Sequence, residues 1–260
     1  MSTPLTALHF AAFNLGGTDL LAVLKSFSFE AVNEQADAGG LADRYSIHQA
    51  VKQSQKAKFT VHLPGTGGLL ASNLDITLWT IGGTGYLGTI RRGVIRATTT
   101  HKDGSGIADA YAFPNATRTS VEVHTEKLIV TSAPFLDTLL TGSASSFDLT
   151  AAISFAGTAF SCPMSIQSGK HTVDRDEMQM EEVVLTLAGT PTGPSDSSLL
   201  GNMLLGTALV TLSANTGGGT YATGSGQTGL LTELTTTFQN ASLIEQTGEL
   251  AIQGGAAWSS

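Results

Sequence analysis

One series of strand-like segments occurs twice in this chain, in the same order, and any fold must accommodate both copies. Gly17 and Thr18, ahead of the apolar run Leu20 to Phe29, are echoed by Gly157 and Thr158 ahead of Ala159 to Ile166. Phe59 to Thr66 lies over Val183 to Thr190, with the same alternation and the same Gly-Thr stop. Both read as a strand ending in a turn. Thr77 and Leu78, followed by Gly82, Gly83 and Tyr86, match Thr211 and Leu212, followed by Gly217, Gly218 and Tyr221. Finally, Thr125 to Val130 matches Thr247 to Ile252, an alternating strand closing each half.

The offsets between these pairs drift, so the connections differ in length. Asn33 to Ser46 reads as a long polar hairpin loop carrying Asp37, Gly39, Gly40, Asp43 and Arg44, and a second loop is expected over His101 to Gly106. Ser195 to Gly206 has Ser and Asp for an N-cap, then Leu199, Leu200, Met203 and Leu204 at helical spacing. Pro134 to Leu140, ending at Gly142, reads as another short helix, with proline suited to the first turn and glycine to the C-terminal cap. The expected division is a first module over 1–132, a helix and linker over 133–146, and a second module over 147–260.

Composition supports strands. Only 13% of the residues are charged and 41% are hydrophobic, with much of the remainder Gly, Thr and Ser, a balance that favours pleated strands and glycine turns. Met1 to Leu24 lacks the basic start and compact apolar block of a secretory signal, and no apolar run approaches the roughly 20 residues that span a bilayer. A soluble protein without membrane binding is expected. Cys162 is the only cysteine, which excludes an intrachain disulfide and fits a reducing compartment. Acidic residues outnumber basic ones 21 to 13, which disfavours a surface that grips phosphates.

No constellation favours an enzyme or calls for a cofactor. Gly83 to Gly88 matches G-x-G-x-x-G after a plausible strand, with Asp103 near the spacing of a ribose ligand. Thr89 to Thr100 is rich in β-branched residues and contains Gly93, which resists the helix that a nucleotide-binding enzyme requires. Asp174, Asp176, Glu177, Glu181 and Glu182 lack calcium-loop spacing and read as solvated loop and strand surface, with Glu181 and Glu182 on opposite faces. His9, His48, His62, His101, His124 and His171 show no zinc-ligand spacing. Arg91, Arg92 and Arg96 form one basic patch, better suited to acidic partners than to nucleic acid.

The Gly-Thr turn, the strand Val23 to Glu30, the long polar loop and the return strand Lys58 to Leu63 resemble the major tail tube proteins of long-tailed bacteriophages. The second half resembles them too, through Ser161 to Ile166, Val173 to Leu187 with its Gly189-Thr190 ending, Leu230 to Phe238 and Leu243 to Ile252. The resemblance implies a mainly β chain of two tandem β-sandwich or partial-barrel modules with short flanking helices. It implies rings stacked into a hollow tube that conducts DNA, with a trimer of two-module chains favoured over a hexamer. It implies tape measure and tail terminator or tip proteins as partners, and location in the virion tail. The loop holding Asp37, Gly39, Gly40, Asp43 and Arg44 would then reach the adjacent ring. Another virion β-protein, a capsid decoration or tail terminator protein, is the alternative.

Overall fold

A computed structural model describes residues 10–37, 48–65, 69–106, 109–130, 133–142, 147–174, 178–192, 198–204, 209–215, 219–223 and 228–259. The chain is mainly β. Its first half runs through β1 (Ala12–Leu15), β2 (Thr18–Asp19), β3 (Leu24–Asp37), β4 (His48–His62), β5 (Ile76–Ile81), β6 (Thr84–Gly85), β7 (Ile90–Asp103) and β8 (Pro114–Leu128). Helix α1 (Pro134–Thr141) leads to β9 (Asp148–Phe155), β10 (Thr158–Thr172) and β11 (Met180–Leu187). Helix α2 (Leu199–Leu204) precedes β12 (Leu209–Val210), β13 (Leu212–Asn215), β14 (Thr220–Thr223), β15 (Gly229–Gln239), β16 (Glu245–Ile252) and β17 (Ala256–Ser259).

Among the described residues the strands form two antiparallel sheets. The large one runs β3-β4-β16-β15-β7-β8-β11-β10-β9-β5-β6, with β12 beside β15. The small one runs β17-β14-β13-β1-β2. Strands of the two sequence halves therefore alternate in pairs across one sheet. The pairings correspond when β1, β3, β4, β5, β7 and β8 are matched to β9, β10, β11, β13, β15 and β16. Thus β4 pairs with β16 as β11 pairs with β8, and β1 with β13 as β9 with β5. Each matched pair in the large sheet runs in opposite directions, and β7 lies directly against β15.

Matched turns share a conformation. Gly16 and Gly17 have φ of +60° and +80°, and Ala156 and Gly157 have +47° and +83°. Two successive left-handed residues give the tight turn whose twist suits a hairpin. The turn between β5 and β6 is built the same way, from Gly82 and Gly83.

Alternation decides which face each strand buries. Ile95 and Ala97 of β7, Val121 and Val123 of β8, Val183 and Leu185 of β11, and Phe59 and Val61 of β4 point to one core. The small sheet covers the β3–β4 end, where Phe13 meets Phe27 and Phe59, and Tyr221 stacks on Phe29 at 5.0 Å. At the other end the large sheet folds back on itself. Trp79 of β5 crosses the core to sit edge-on to Phe238 at 5.3 Å and to donate from Nε1 to Thr125 Oγ1 at 3.1 Å. A side chain at Gly93 would meet that indole at 2.3 Å, so glycine is what admits it.

Three sequence expectations need correction. Asn33 to Asp37 is strand, paired through Asp37 with His48, because the β3–β4 ladder continues well past the sheet body. His101 to Asp103 is likewise strand, because the hairpin ladder extends to Asp103 and Pro114. Glu181 and Glu182 do lie on opposite faces, but Glu181 is wholly buried rather than solvated. The two helices form where expected, with Ser198 Oγ accepting from Gly201 N and Gly142 capping α1.

Candidate functional site

The face of the large sheet opposite the core is broad and solvated, and its side chains form rows across strands. One row follows register from Thr60 through Thr247, Thr235, Arg96, Glu122 and Thr186 to Ser165. A neighbouring row runs Lys58, Glu249, Glu233, Thr98, Ser120. Glu233 and Glu249 face each other, an arrangement that repels unless cations intervene. They do: Lys58 lies 3.0 Å and Lys56 3.4 Å from Glu249, and Arg96 lies 3.7 Å from Glu233. Lys25 pairs with Glu245 at 2.5 Å. Burial alone would raise the Glu249 carboxyl, but the Lys58 hydrogen bond and the two lysine charges outweigh it and hold it below the ordinary value of 4.5. These cations are engaged by the chain's own glutamates, so Arg96, expected to meet acidic residues, does so within the chain.

The sheet has unlike ends. At one, β3 pairs among the described residues only with β4. At the other, β10 carries β9 and then β5, whereas the strands matching β9 and β5 have moved from β3 into the small sheet. A long unpaired edge is a template for pairing with another chain. Beyond the sheet body, Glu30 to Asp37 and His48 to Val51 are exposed on both faces, forming a two-stranded ribbon. Asp37 lies at its outer end, and the other expected contact residues, Gly39, Gly40, Asp43 and Arg44, lie outside the described residues.

The ribbon is tied to the body by a contact that the sequence pattern did not reveal. Lys52 Nζ donates to Asp103 Oδ2 at 2.5 Å and to Ser105 Oγ. Asp103 Oδ1 accepts from Ser105 N, Ser105 Oγ and Phe113 N. The Lys52 and Ser105 hydrogen bonds and these backbone amides hold the Asp103 carboxyl far below the ordinary carboxylate range. Gln53 N donates to Ala110 O and its carbonyl accepts from Ala112 N, both at 2.9 Å. Lys52 and Asp103 are too far apart in sequence for spacing to reveal them.

A second missed group is internal. Glu181 Oε1 accepts from Phe135 N and Leu136 N, each at 2.9 Å, capping α1. Its Oε2 lies 2.9 Å from buried Lys127 Nζ, at an angle that falls short of a hydrogen bond. Lys127 also sits over the rings of Tyr86 and Phe135, at 5.2 and 5.7 Å.

The remaining sequence candidates are dispersed. Gly83 to Gly88 forms a tight turn, β6 and the bend into strand β7, so no helix N-terminus stands there to receive a phosphate. Cys162 is buried, which pushes its thiol up to about 12. Among the described residues no group of three His, Cys, Asp or Glu could hold a metal ion, and no helix is long and apolar enough to cross a membrane.

No family model and no curated protein matches the chain. Among solved structures it is similar to a chain of the virion of a native gene transfer agent particle, with TM-score 0.37 and 10% identity over 47% of this chain and 97% of that one. It is also similar to a chain of the tail of an empty gene transfer agent particle of C6 symmetry, with TM-score 0.31 and 11% identity over 52% of this chain and 93% of that one. Likeness at this level assigns no role to the chain.

Proposed function

We propose that this chain is a structural subunit of a phage-type virion tail, whose copies join side by side into rings that stack into a tube conducting DNA. The observation that carries the reading is the large sheet, which has one solvated face, an edge strand β3 that pairs among the described residues only with β4, and unlike ends. Unlike ends suit head-to-tail pairing, which closes a ring when the rotation fits. The solvated face then lines the lumen. Four of its cations, Lys25, Lys56, Lys58 and Arg96, are paired with glutamates, and an engaged cation has little grip on a phosphate backbone. Tape measure, terminator and tip proteins are the further partners of such a subunit.

The matched strands support reading 1–132 and 147–260 as two copies of one module joined by 133–146. Because matched strands run in opposite directions, rotation about a ring axis cannot superpose one half on the other. Six like positions from three chains therefore do not follow, and the whole chain is the repeating unit of the ring. Sedimentation and negative-stain microscopy of the concentrated protein test the reading. Rings or tubes with whole-chain rotational symmetry are expected. Globular monomers at every concentration, with other tail components present, overturn it.

A further inference from the structure

Outside the sheet body, the chain holds a ribbon that contributes nothing to its own core. Residues 30–37 and 48–51 are exposed on both faces, and Val32 and Val51 expose apolar side chains there. A lone two-stranded ribbon is marginally stable in water and free to swing about its base. Here the base is fixed by a strut, built from residues 103–106 and 109–114, that bridges ribbon to body.

The strut is attached at both ends. On the ribbon side, Lys52 is bonded to Asp103 and Ser105, and the Gln53 backbone is clasped between Ala110 and Ala112 in a parallel bridge centred on Tyr111. On the body side, Gly254 N donates to Ala112 O and Gln253 Nε2 to Pro114 O. The Tyr111 ring lies over Gly255, where a side chain would meet it at 2.8 Å. Asp103 joins the two functions, since one oxygen organises the strut and the other receives the lysine.

We infer that Lys52 and Asp103 are positioning residues, which set the angle at which the β3–β4 ribbon leaves the sheet so that it meets a second copy of this chain in the neighbouring ring. The inference rests on the stacked-ring reading above. Its physical basis is that a preset contact element loses less freedom on binding than a swinging one. The pair touches only the ribbon base and the strut, so its loss spares the core.

The test compares wild type with Lys52→Met, which keeps the aliphatic stem, and Asp103→Asn, which keeps an acceptor for Ser105 and Phe113. Threshold concentrations for stacking are measured by sedimentation and microscopy, alongside the thermal midpoint and hydrogen exchange of 30–37 and 48–54. Both variants should stack at a threshold raised about tenfold or more, with faster ribbon exchange and a midpoint near wild type. Single variants that stack at the wild-type threshold overturn the positioning role and leave the stacked-ring reading standing. A wild type that never stacks overturns both.

Discussion

Gly93 shows how one residue's lack of a side chain sets a core. Trp79 reaches across from β5 and rests on the bare backbone of β7, with its Nε1 bonded to buried Thr125. Gly93→Ala should cost about 1–3 kcal/mol in urea unfolding, because the added methyl meets the buried indole at 2.3 Å and one of them must shift. Pairing it with Trp79→Leu should make the two costs less than additive. Lys127 and Glu181 present the opposite case, two charges in the core. Lys127→Met should cost about 3–5 kcal/mol, since it strands a buried carboxylate that also caps α1. Adding Glu181→Gln, which keeps an acceptor for Phe135 and Leu136, should recover part of that loss. A Lys127→Met protein as stable as wild type contradicts this account.

Strand pairs are the level at which charge and pH act. Glu249 and Asp103 both have carboxyls held below their ordinary values of 4.5 and 3.8. A depressed native value favours the ionised form on folding, so this stability is fully present above the ordinary values and is lost as pH falls from them through the lower native ones. The urea midpoint should be flat from neutral pH down to about 5 and decline below that, with a shallower decline in Lys58→Met. On the proposed tube reading, the same β4–β16 pair limits adhesion to DNA. Glu249→Lys would release Lys56 and Lys58 and add a third cation, and fluorescence anisotropy should then show salt-dependent binding that wild type lacks.

Across the molecule, the alternation of strands from both halves makes folding a joint event. β4 finds its second neighbour in β16 and β11 finds its own in β8, so each half alone leaves long interior strands with bare edges. Fragments 1–142 and 147–260 should each lack a cooperative unfolding transition, and mixing them should restore one, as read by near-ultraviolet circular dichroism. Either fragment unfolding cooperatively alone would contradict the exchange. Pairings this distant in sequence also make folding slow, because loop closure precedes the contacts that reward it.

Sequence alone determined the strand-rich class, most strand cores, both helices and the matched Gly-Thr turns at 17 and 157, because alternation, glycine turns and capping residues act within a few positions. It also showed that Gly83 to Gly88 ran into β-branched residues rather than a helix. Tertiary structure decided the rest. That Asn33 to Asp37 extends a ladder, that Glu181 faces a buried lysine, that Lys52 meets Asp103, and that the halves interleave in opposite directions all depend on partners far along the chain. A residue's local pattern records which face it turns inward, but carries no record of which distant strand will pair beside it.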